Sequence, residues 1–187
     1  MFFFFLIRHK LSFFSLFFAK VKDIRHLLSN IISRGGENMI NEYEVNSNTL
    51  ALLPIGNHVT KVIEKQDSFL VNQTPSQIID YSCRSFGSSY LGRHEGTKHL
   101  TGINYKAPII IEETQSMIFF PTASPRFSKC AWIALNHVKN HIKYEEKSIL
   151  YFQCGKNVEL DISYGSLENQ ILRATKLESV LRKRKIF

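Results

Sequence analysis

The sequence predicts an α+β fold, a single domain of mostly antiparallel sheet with two main helices, and three observations predict it. Apolar runs of four or five residues recur from Thr49 onward, each closed by Pro, Gly, Asn, Ser or charge, as short strands are. The helical patterns of about 10 to 15 residues that parallel βαβ units need between strands are missing, which favours antiparallel pairing. Two segments, opening at Thr74-Pro75 and at Ser166, begin with helix-start residues and continue with apolar positions on one face.

In chain order, Thr49 to Leu53 reads as a strand ended by Pro54 and Gly56, Val59 to Lys65 as a second, and Ser68 to Val71 as a third. Thr74 is a good N-cap, and Pro75 at the first helical position forfeits no hydrogen bond. Ile78, Ile79, Tyr81, Ser82 and Phe86 follow at helical spacing; the helix should weaken at Gly87 and end by Gly92. Further strands are expected at Ile109–Ile111, Met117–Phe120, Trp132–Leu135, Ile149–Phe152 and Val158–Leu160, about eight in all. Asn136 to Ile142 is open to either helix or strand. The final helix, capped by Ser166, places Leu167, Ile171, Ala174 and Leu181 on one face and runs into Arg182-Lys183-Arg184-Lys185.

At 187 residues there is room for one well-filled core. Hydrophobic content of 44% and charged content of 21% are near globular averages, which excludes wholesale disorder and a multi-span membrane protein. Residues 1–38 differ from the rest. Phe2 to Phe5, Phe13, Phe14, Phe17 and Phe18 make up more than half of the chain's Phe, yet Arg8, His9 and Lys10 split the apolar run below the length a spanning helix needs. The order of charges and the lack of a small-residue cleavage site do not fit a secretory signal. Arg34-Gly35-Gly36-Glu37-Asn38 can be encoded by a purine-rich ribosome-binding sequence just upstream of the Met39 codon. The expectation is that 1–38 is a non-native extension read from upstream DNA, that 39–187 is the domain, and that a short amphipathic membrane anchor is the other explanation of the extension.

The formal charge of +8 points to an acidic partner, although half of it lies in residues 1–38. Cys83, Cys130 and Cys154 are odd in number and widely spaced, which fits neither a disulfide framework nor a metal knuckle and suits a reducing cytoplasm. No enzyme motif survives: Gly87 to Gly92 lacks the Lys of a phosphate-binding loop, and His137 and His141 lack the Glu of a zinc-protease helix. Cys130, beside Trp132 in an apolar strand, reads as a small buried hydrophobe. The remaining candidates are basic and small-polar. Arg84, Arg93 and Lys98 bracket Ser88 and Ser89, a set suited to a phosphate backbone. Arg173, Lys176, Arg182, Lys183 and Arg184 on the last helix are further candidate DNA contacts. Against this, Arg84 lies four residues after Asp80 and can pair with it instead.

The block Ser82-Cys83-Arg84-Ser85-Phe86-Gly87-Ser88-Ser89-Tyr90-Leu91-Gly92-Arg93, followed by Gly96-Thr97, resembles the central signature of the ComK family of competence transcription factors. Tyr43-Glu44-Val45-Asn46, Ile63-Glu64-Lys65, Phe120-Pro121-Thr122, Cys130-Ala131-Trp132-Ile133 and Ile162 to Gln170 match further landmarks in order, so the resemblance covers about residues 42 to 177. It implies a transcription activator without cofactor, acting as paired protomers on A/T-rich double-stranded DNA through the minor groove. It also implies RNA polymerase and an adaptor of the Clp protease as partners. Members of the family continue past the last helix where this chain reaches Lys185-Ile186-Phe187, and transcriptional activation and regulated proteolysis through the Clp adaptor are the expectations a shorter end weakens. The competing expectations are an inactive, truncated remnant of the family and a protein-interaction module without DNA binding.

Overall fold

The computed structural model describes residues 39–184; the expectations about residues 1–38 fall outside that range. Strands β1 (Thr49–Ile55), β2 (Val59–Glu64) and β3 (Ser68–Val71) form a meander, and helices α1 (Pro75–Ser85) and α2 (Tyr90–Thr101) follow. Then come β4 (Ile109–Glu112), β5 (Met117–Pro121), β6 (Trp132–Ala134), a single 3₁₀ turn (Leu135–His137), β7 (Val138–Tyr144), β8 (Lys147–Phe152), β9 (Asn157–Leu160) and α3 (Tyr164–Arg184). The class is α+β, as expected.

One sheet has six strands in the order β3-β2-β1-β6-β5-β4 and the other three in the order β7-β8-β9, every named pair antiparallel. The larger sheet is covered on both faces, which explains its unbroken apolar runs. Along β5, Ile118 and Phe120 pack to one side and Phe119 to the other; along β4, Ile110 and the pair Ile109 and Ile111 divide the same way. One core collects Ile78, Ile79 and Cys83 of α1 with Trp132. The other collects Leu167, Ala174 and Leu177 of α3 with Leu150, Phe152 and Leu160 of the small sheet. That smaller sheet buries one face only, and β7 is mostly exposed.

Two expectations are corrected, and the segment left open resolves mostly into strand. Instead of one helix reaching toward Gly92, the chain makes two, so the described residues hold three helices. Gly87 takes a left-handed φ of 76°, which stops α1 at negligible steric cost, and Ser89 starts α2 by accepting from the Gly92 amide at 3.1 Å. Strands number nine among the described residues because Val138–Tyr144 pairs with β8. His137 Nε2 meets the Ser47 carbonyl at 3.0 Å while His141 stacks on Tyr164, so the two imidazoles serve different surroundings. Last, α3 begins at Tyr164, with Ser166 inside the first turn rather than capping it.

Burial pushes the Cys83 thiol up to about 12 and the Cys130 thiol up to about 11. Both stay protonated at neutral pH, as small apolar groups would. Among the described residues no helix is long and apolar enough to cross a membrane.

Candidate nucleic-acid interface

Most landmark residues of the sequence hold the fold together, and they do so in pairs. The Tyr43 hydroxyl donates to Glu64 at 2.6 Å, and Asn46 Nδ2 donates to the same carboxylate at 3.0 Å. The Val45 amide donates to Ser82 Oγ at 3.0 Å, tying the N-terminal landmark to α1. Thr122 exchanges bonds with Ala131 across β5 and β6. Gln170, almost fully buried, donates to the Pro121 carbonyl at 2.6 Å and to that of Lys106 at 3.1 Å. Ser82, Thr122 and Gln170 are buried polar groups satisfied in this way, whereas Asn46 makes its bond at the surface.

The connection between α1 and α2 is fixed by Asp80. Its Oδ2 accepts from Arg84 Nε at 2.8 Å, and its Oδ1 accepts from the Tyr90 amide at 2.9 Å, the first backbone donor of α2. Arg84 therefore has the internal partner its spacing allowed, although its side chain remains 69% exposed. Ser88 and Ser89 lie in the link, Ser89 as the cap of α2.

From Tyr90 onward α2 presents two flanks, since successive residues turn by about 100°. On one flank Gly92 and Gly96 carry no side chain beside Arg93 and Thr97. A recess of about 390 Å³ opens there, lined by Ser88, Gly92, Arg93, Gly96 and Thr97 with Arg184 from α3. Leu100, Ile110 and Leu181 supply its apolar lining, and Glu113 also borders it. Arg93 Nη2 donates to the Phe86 carbonyl at 3.1 Å, whereas its Nε is buried without a partner. Thr97, 2% exposed, has a hydroxyl that is likewise buried and unpartnered. Two unmet polar groups in one recess are uncommon in a native structure, and such groups call for an explanation.

The structure thus brings Ser88, Arg93 and Arg184 together and leaves the other candidates apart. Lys98 is exposed on α2 and Lys183 on α3. Arg182 faces Glu178 at 3.4 Å. Arg173 donates to the Tyr105 carbonyl at 2.8 Å and Lys176 to the Thr101 carbonyl at 2.9 Å, so both fasten α3 to the end of α2 and the loop after it. Gly92, Gly96 and Thr97 are the recess residues that residue-by-residue reading passed over. The available signal was two glycines four apart in a helix, each costing about 1 kcal/mol relative to Ala.

The fold and recess define an α+β domain with a basic, glycine-lined hollow against one helix. Residues 40–186 match the family model described as ComK protein. The chain is 42% identical over 149 residues, 78% of its own length and 78% of the relative's, to the competence transcription factor of Bacillus subtilis (strain 168). No solved structure matches. The chain belongs to the ComK family.

Proposed function

We propose that this chain is a DNA-binding transcription activator of competence genes, those of DNA uptake and transformation, which recognises A/T-rich promoter boxes through the minor groove. Membership of a family that includes a competence transcription factor supports the general reading. The observation that carries the site is the recess itself, with its bare glycines, Arg93 in its wall and Arg184 at its edge. Glycine lets a phosphate backbone approach a helix closely, and an Arg beside it can enter a groove narrowed by A-tracts, where the negative potential is strongest.

The minor groove distinguishes mainly A·T from G·C, so one protomer reads a degenerate pattern and a pair at fixed spacing restores selectivity. On this reading the domain starts at Met39, works in the cytoplasm without a cofactor, performs no enzymatic reaction and assembles as a homo-oligomer on DNA. RNA polymerase and a Clp-protease adaptor are its proposed protein partners. Ser89, Lys98, Lys183 and the exposed part of Arg84, which lie outside the recess, are proposed as secondary phosphate contacts.

A salt series on A/T-rich and G/C-rich duplexes tests this. The expected outcome is tighter binding to the A/T-rich duplex and, for both, log affinity falling linearly with log salt. Equal indifference to both duplexes at low salt would refute it.

A further inference from the structure

The opposite flank of α2 borders a second cavity of about 390 Å³, lined among others by Tyr90, His94, Tyr105, Lys106, Arg126 and Trp132. Trp132 is fully buried, yet its indole N–H has no acceptor among the described residues. Tyr90 stands edge-on to Trp132 with ring centroids 6.0 Å apart, and the Lys106 ammonium sits 5.7 Å from the centre of the Tyr105 ring. Two of the lining side chains, Leu91 and Tyr105, are large, apolar and exposed. Leu91 and Tyr105 are each 62% exposed, and Phe127, next to Arg126, is 57% exposed. Two cations line this cavity and no carboxylate does, whereas Glu113 borders the recess on the other flank.

We propose that this cavity is a docking site for an acidic peptide segment of a partner protein, one that carries an aromatic side chain next to a carboxylate. The aromatic ring would pack among Tyr90, Tyr105 and Leu91, where aromatic pairs add to simple burial. The carboxylate would lie between Lys106 and Arg126, and the ring would reach Trp132 through Tyr90. A nucleic-acid strand fits less well, because its charges repeat along a track whereas the cations here bracket one cavity. Since the two cavities share no lining residue, both can be filled at once, and this site stands whether or not the recess binds DNA.

Trp132 is the chain's single tryptophan, so its fluorescence reports on this cavity alone. The full chain is titrated with the blocked peptide acetyl-Asp-Phe-Asp-Leu-amide and with its Asn-for-Asp counterpart. A saturable change in emission is expected for the first, with binding about tenfold weaker for the second and for the variants Lys106→Gln and Arg126→Gln. Arg126 is exposed, so that variant keeps its fold even if Lys106→Gln does not. No saturable signal, equal binding of the neutral peptide, or wild-type affinity in folded Arg126→Gln overturns the proposal. Saturation of the same signal by a ten-residue oligo-dT that displaces the peptide also overturns it, in favour of a nucleic-acid site.

Discussion

Helices α1 and α2 are consecutive and nearly equal, 11 and 12 residues, but they are built for different purposes. Helix α1 begins with a complete capping box, in which Thr74 and Gln77 satisfy each other's amides, and it buries Ile78, Ile79, Ser82 and Cys83. Helix α2 buries only Thr97 and Thr101, holds two glycines in its interior and leaves an Arg nitrogen and a Thr hydroxyl unmet. Nothing in core packing explains that composition. A helix that packs only the partly buried Tyr90 and Leu100 against the cores, and gives up helix propensity as well, is held by its ends and kept for its surface. The ends are indeed held: Asp80 and Ser89 fix the start, and Gly102, with a left-handed φ of 76°, and Lys176 secure the finish.

The comparison breaks first if α1 can be hollowed cheaply. Ile79→Ala removes a fully buried side chain and should cost about 2–5 kcal/mol in urea denaturation. A loss under about 1 kcal/mol would mean that α1 is no better packed than α2.

Gly96→Ala sharpens it in the opposite direction. A Cβ there meets nothing within 4 Å, and its backbone is ordinary helix, so the substitution should stabilise the fold by about 1 kcal/mol. It should also weaken DNA binding, because the methyl projects into the recess. Gly92→Ala should behave similarly, since its Cβ would come within 2.9 Å only of the Ser88 hydroxyl, a group able to rotate away. A more stable Gly96→Ala variant with unchanged DNA affinity would separate the glycines from function.

The smallest effect is expected at Arg84. Its pair with Asp80 is largely exposed, and such pairs contribute about 0–1 kcal/mol. Arg84→Ala should therefore shift thermal stability little and reduce affinity for all duplexes alike, with the salt slope smaller by about one. Selective loss of A/T-rich binding in this variant would move the reading residue from α2 to α1.

The legible parts of the sequence follow the same division. The strands of the large sheet announce themselves as unbroken apolar runs because both faces are buried, and α1 and α3 carry apolar stripes at helical spacing. The Arg84 and Asp80 pair was available from spacing alone. Helix α2 was not, because Thr97 and Thr101 are its only buried residues and Gly92 and Gly96 read as breakers. Strand β7 was equally hidden, since its exposed sequence has no apolar period of either kind. The recess could not be foreseen as a unit, for it joins Arg93 on α2 to Arg184 at the far end of α3. What sequence supplied was its ingredients: Ser88, Arg93 and Arg184 were candidates before their proximity was known.

Arg93→Ala tests the central claim most directly, by measuring affinity for an A/T-rich box and for a mixed-sequence duplex of equal length. The place of Arg93 in the recess wall predicts A/T-rich affinity lowered by about 1–3 kcal/mol and mixed-sequence affinity lowered less, in a fold that loses only the bond to the Phe86 carbonyl. Wild-type affinity for both duplexes in the folded variant would contradict it and remove α2 from the DNA-binding surface.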